Sequence, residues 1–191
     1  MNQSQKINNT FALITIVMMT IVITIYVKYV PKEEPKPSLN SGLECQKEVI
    51  CFDKIYDLEL LKEGVALLSN GNYELLGDIS LATHMKPILD TKITIDQSDE
   101  MFFKAINIPQ NENPQKYLTI SYQLIENDKE DPNKKSDSDN CKLFAGYILT
   151  SFRINGIQAY RMQIDFNTYE HAEIQKRIDC TIEALKQNGK I

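Results

Sequence analysis

The residues with most to offer chemically are four cysteines, at positions 45, 51, 141 and 180. Four thiols allow three pairings. One is Cys45–Cys51 with Cys141–Cys180, in which the second bridge would staple the last helix to a hairpin and close a long loop. The first bridge meets an obstacle. Six residues apart on a regular helix, two Cα atoms stand about 9 Å apart, beyond disulfide reach. Either the chain is irregular there, or Cys45 or Cys51 pairs elsewhere. Cys45, Cys51, Cys141 and Cys180 all stand as candidate disulfide residues. Zinc would ask for Cys-x₂₋₄-Cys spacing and thiol redox chemistry for Cys-x-x-Cys; neither occurs.

The other groups that do chemistry are sparse. There are two histidines, His84 in a strand-like region and His171 in the first turn of the last helix. A Cys–His pair would have to be assembled by the fold. Arg153 and Arg161 flank Asn155-Gly156 on two strands, where they could face one another and meet an anion. No Gly-rich phosphate loop, Gly-x-Ser-x-Gly, His-Glu-x-x-His or paired acidic motif is present. The run Asn127–Asn140 (NDKEDPNKKSDSDN) contains no apolar residue and reads as a solvated loop. It lacks the acidic spacing and central Gly of a calcium loop. The expectation is a non-enzyme with no catalytic residue, no cofactor and no metal. With 26 acidic against 21 basic residues and a net charge of -5, nucleic acid is not an expected partner either.

The elements that would position these groups follow from periodicity. Leu43–Leu61 places Val49, Phe52, Tyr56 and Leu60 on one helical face, with Gly64 as punctuation. Asn70-Gly71-Asn72 is a turn signal. Tyr73–Met85 reads as a strand region, broken near Gly77, and Lys92–Asp96 as a short strand. Ser98 could cap a short helix through Ala105. Tyr117–Glu126 (YLTISYQLIE) alternates and is rich in β-formers, so it reads as a strand. Cys141–Ile154 and Ile157–Phe166 read as a hairpin about Asn155-Gly156, since both turn positions of such a hairpin need positive φ. Asn167, answered by Glu170, should cap a final helix with a stripe of Ile174, Ile178, Ile182 and Leu185, ended by Gly189. The fold class expected is α+β: an N-terminal transmembrane helix, then an antiparallel sheet with a flanking helix at each end of the domain.

Phe11–Val27 (FALITIVMMTIVITIYV) is seventeen residues without a charge. At about 1.5 Å per residue it reaches roughly 25 Å, close to a bilayer core once Tyr26, Tyr29 and Lys28 sit at the interface. Its start, Phe11-Ala12-Leu13-Ile14, is similar to a mature type IV pilin. That family places Gly before the Phe and Glu four residues after it; Thr10 and Thr15 stand here, and Pro31 stops the long helix a pilin needs. No small-x-small cleavage site follows the apolar run. The expected plan is a short N-terminal tail (1–10), a transmembrane anchor (11–30), a Pro-rich linker (31–42) and a soluble extracytoplasmic domain (43–191).

Two signals conflict over which side holds the domain. Lys28, Lys32 and Lys36 outnumber Lys6, which by the positive-inside rule puts the domain in the cytoplasm. The even cysteine count argues for an oxidising compartment. The balance favours a single-pass protein of the inner (cytoplasmic) membrane with its C-terminal domain outside; the alternatives are a cytoplasm-facing or a secreted domain. Beyond the membrane, the expected partner is another protein of unknown identity. That plan suits an accessory component of a bacterial envelope, secretion or pilus-type assembly, or a membrane partner of a sensor. The alternatives are an extracytoplasmic enzyme or small-ligand binder with a site formed only by the fold, and a secreted factor if the N-terminal segment is cleaved.

Overall fold

The computed structural model describes residues 15, 18–20, 42–132 and 144–190. The chain divides into two units, Met1–Lys36 and Pro37–Ile191. In the first, Thr15 and Met18–Thr20 are helical. The rest of the expected span 11–30, and the linker up to residue 41, lie outside the described residues. Among the described residues, no helix is long and apolar enough to cross a membrane.

The second unit is α+β. Its elements run α1 (Glu44–Lys47), β1 (Cys51–Ile55), α2 (Leu58–Ser69), β2 (Tyr73–Ser80), α3 (Leu89–Lys92), α4 (Ile95–Ile106), β3 (Leu118–Glu126), β4 (Gly146–Ile154), β5 (Ile157–Phe166) and α5 (His171–Asn188). The five strands form one sheet in the order β1-β5-β4-β3-β2. The hairpin turn falls where the sequence puts it, with positive φ at both Asn155 (50°) and Gly156 (79°).

Strict alternation in β3 and β4 gives the sheet a dry face and a wetter one. The dry face presents Leu118, Ile120, Tyr122, Leu124, Ile148, Phe152, Ile164 and Phe166, all buried. Helices α2, α4 and α5 pack onto it. The α5 stripe of Ile174, Ile178, Ile182 and Leu185 is buried there as its spacing predicts. No described element covers the other face.

Several expectations are corrected. The sheet is mixed, because β2 runs parallel to β3 (Tyr73↔Leu118 through Ser80↔Ile125). A parallel pair needs a crossover, and here it is the segment 81–117 with α4 inside it. Lys92–Asp96 is no strand: Thr94 caps α4 through a reciprocal box with Gln97, and Ser98 lies inside the helix, donating to Thr94 O. Reading that segment as β takes the first turn from the helix that the crossover contains.

Leu43–Leu61 is no continuous helix. Cys51–Ile55 pairs antiparallel with β5 instead, and Asp57 caps a new helix by accepting from Leu60 N–H (3.0 Å). The helical stripe was illusory, since Phe52 and Tyr56 are exposed. Gly64 does not end α2 but sits inside it, against the Leu118 side chain. At the far end, Glu170 rather than Asn167 is the cap residue of α5. Asn167 instead donates to Glu173 Oε1 through its backbone N–H (3.3 Å) and side-chain amide (3.2 Å). Gly189 keeps a right-handed φ of −78°; its small size is what matters, because a Cβ there would overlap Val65 of α2.

Candidate functional site

The structure joins Cys45 to Cys180. Cys180 lies on the buried face of α5 and α1 packs across that helix, so the bridge fastens the start of the domain to its last element. This replaces the Cys141–Cys180 staple of the pairing considered above. The hairpin needs no such staple, because β4 and β5 are already held by their ladder. Arg177, one turn before Cys180 and buried, reinforces the joint. It donates to Glu173 Oε1 (2.9 Å), Glu48 Oε2 (3.1 Å) and the Cys45 carbonyl (3.4 Å). The bond from Lys176, with that from Arg177, holds the Glu48 carboxyl below its usual range.

Cys51 keeps a free thiol on β1. Burial, helped by the charge of Asp53, pushes that thiol up to about 12. A thiol held protonated is a poor nucleophile and a poor metal ligand. Cys141 lies outside the described residues. A disulfide between distant residues fits an oxidising, extracytoplasmic compartment.

His84 and His171 are placed apart in function. His171 Nε2 donates to the Lys92 carbonyl (2.7 Å), tying α5 to the α3–α4 junction. His84 lies in the loop after β2, half exposed, with Nδ1 3.0 Å from Asp128 Oδ2 and 4.0 Å from Asp131 Oδ1. The same Asp128 oxygen accepts the backbone N–H of His84 (2.6 Å) and of Thr83 (2.8 Å). Burial pushes the Asp128 carboxyl up, but these bonds and one from Glu130 N–H outweigh it and hold the group well below the ordinary carboxylate range. Asp128 is therefore ionised and accepts, which fixes His84 with its proton on Nδ1.

Two residues earlier, Glu126 is buried and does the same work. Its Oε1 accepts from Ile88 N–H (2.9 Å), Leu89 N–H (3.3 Å) and Tyr169 Oη (3.1 Å), and its Oε2 accepts from Ala82 N–H (3.2 Å). Together the two carboxylates wrap the segment 82–89 around the C-terminal end of β3. This corrects the reading of Asn127–Asn140 as a solvated connection, because Asn127 and Asp128 are buried.

Arg153 and Arg161 do not face one another. Arg153 is opposite Gln158, and Arg161 is opposite Ser151, because a bulge at Phe152/Arg153 offsets the ladder. Both lie on the open face. The bulge also turns Ala159 and Tyr160 inward together. Tyr160 donates to Asp53 Oδ2 (3.0 Å), and Asn188 Nδ2 donates to the Tyr160 oxygen (3.1 Å). Burial, with the Asp53 charge, pushes the Tyr160 hydroxyl far up.

Concave space is shallow. A groove of about 440 Å³ lies between α4 and α5, lined by Met101, Lys104, His171, Gln175 and Asp179 among others. Among the described residues, no group of three His, Cys, Asp and Glu is placed to hold a metal ion. The broad feature that remains is the open face of the sheet. Register aligns Lys54, Arg161, Ser151, Ser121 and Leu76 in one row across all five strands, and Phe52, Gln163, Leu149, Gln123 and Asp78 in the next.

No family model, curated protein or solved structure matches this chain.

Sequence reasoning missed the carboxylate clamp and the arginine joint. Glu126-Asn127-Asp128 directly after an apolar alternating strand was the available signal. Arg177 carried one as well, since it shares the α5 face of Ile174 and Ile178, three residues from the first and one from the second, where a charge needs a partner.

Proposed function

We propose that this chain is a single-pass membrane-anchored protein whose extracytoplasmic domain docks another protein, as an accessory part of an envelope, secretion or pilus-type assembly or as the membrane partner of a sensor. The anchor is the uncharged run Phe11–Val27. The Cys45–Cys180 bridge supports the outer side of the membrane over the count of flanking lysines.

The observation that carries docking is the one-sided sheet. Two-layer α+β domains leave one sheet face to water, and such faces are ordinarily polar. Here Phe52 (64% exposed) and Leu76 (53% exposed) stand on it, and Leu149 lies in the same row as Phe52 on the central strand. Such side chains at a polar rim are what a partner covers.

Photo-crosslinking in intact cells tests this. A photoreactive residue at Leu149, at the centre of the open face, should yield a discrete adduct with one other protein. The same residue at Glu183, exposed on α5, should yield none. Absence of any adduct from Leu149 overturns the docking reading. A C-terminal reporter active only in the cytoplasm would overturn the orientation.

A further inference from the structure

We propose that the outer edge of β2 accepts an extended, basic segment of the partner protein as a sixth strand; this rests on the docking reading above and names the chemistry of that contact. β2 ends the sheet. The Asn72 carbonyl accepts from Leu118 N–H. In a parallel pair, residues of that parity turn both backbone groups toward the neighbour. Glu74, Leu76 and Asp78 therefore bond to β3, while Tyr73, Leu75, Gly77 and Ile79 point their N–H and C=O groups outward. The Tyr73 carbonyl accepts from Gln110 Nε2 (2.6 Å). For Leu75, Gly77 and Ile79, no bond beyond the β2–β3 ladder is recorded among the described residues. That is a run of three donor–acceptor pairs, spaced as another strand requires.

Side chains define the strand that fits. On the open face the edge offers Glu74, exposed Leu76 and Asp78. Glu74 accepts from Thr119 Oγ1 (2.7 Å) and Asp78 from Gln123 Nε2 (2.7 Å), so both carboxylates are held in place along the edge. On the helix side the edge offers Leu75 and Ile79, partly buried against the core. An antiparallel strand would meet this with a cation, an apolar residue and a cation on one side, and apolar residues on the other. A second copy of the same edge does not fit. Antiparallel pairing about Leu76 would place Glu74 of one copy opposite Asp78 of the other, and like charges opposite one another destabilise. The acids thus refuse self-association and select a basic strand, in a protein of net charge -5.

The test uses the full-length protein in mild detergent and two blocked seven-residue peptides of alternating pattern. One reads Val-Lys-Val-Leu-Val-Lys-Val; the other has Glu for both Lys. Residue-resolved amide exchange should show the Lys peptide slowing Leu75, Gly77 and Ile79 by about tenfold or more at saturation. The Glu peptide should bind about tenfold more weakly at low salt. The double variant E74Q/D78N keeps oxygen acceptors for Thr119 and Gln123 and should lose the discrimination. Equal binding of both peptides, or protection confined to β1, overturns the proposal. So does no protection at these three amides at millimolar Lys peptide. In each of those cases, adducts from Leu149 would leave the docking reading standing.

Discussion

Cys45 and Cys180 are 135 residues apart in sequence and 5.9 Å apart between Cα atoms, so one covalent bond closes nearly the whole domain into a ring. In the chain-entropy account, closing so long a loop limits the unfolded ensemble by about 5 kcal/mol. Urea unfolding of C45A/C180A should show a loss of about 3–5 kcal/mol against the parent, and dithiothreitol should reproduce it. Unchanged stability on reduction would mean that the Arg177 joint alone holds α1 against α5.

Glu126 has three of its four hydrogen-bond partners on a segment that makes no strand pairing. Three backbone N–H groups and the Tyr169 hydroxyl converge on one buried carboxylate. Glu126→Gln keeps one oxygen and turns an N–H₂ toward donors. It should cost about 2–3 kcal/mol, with the rise in amide exchange centred on Ala82, Ile88 and Leu89. A uniform rise across the domain would show instead that the clamp is part of the global unfolding unit.

Legibility in the sequence followed the range of the interaction. The Asn155-Gly156 hairpin, the β3 alternation and the α5 stripe are local signals, and each is where the residues put it. Cys51–Ile55 is not legible locally, because β-structure there is decided by a partner strand more than 100 residues away, at Tyr160–Ile164. The parallel placement of β2 depends on a helix whose first residue, Ile95, falls in a run that alternates like a strand. The candidate site was least legible. Carboxylates that clamp a loop look like surface charge until the loop's backbone is seen to point at them.

The free thiol of Cys51 should be nearly inert. Raised to about 12 by burial and by Asp53, it would carry on the order of a thousandth of the thiolate of an unperturbed cysteine at pH 8. Timed iodoacetamide labelling of the folded, non-reduced protein, read by peptide mass at Cys51, should lag a denatured control by a comparable factor. Labelling at the denatured rate would show that β1 peels away from β5 freely at that edge.

Asp128 should make the 82–89 segment acid-sensitive. Its carboxyl is held below its unfolded value, which is about 3.9. A group depressed by folding stabilises fully above the unfolded value, and that contribution fades as pH falls through the folded one. The difference in unfolding midpoint between the parent and Asp128→Asn should therefore be largest above pH 5. It should narrow from about pH 4 downward, where protonation takes from the parent what the substitution already lacks. His84 should report protonation of Asp128 in the folded state, since its Nδ1–H then loses an anionic acceptor and the ring's NMR signals should shift at pH values well below the ordinary carboxylate range. A gap that stays constant from pH 6 to pH 2 would mean that the carboxylate serves only as a hydrogen-bonding shape, which the amide of Asn fails to match for steric reasons.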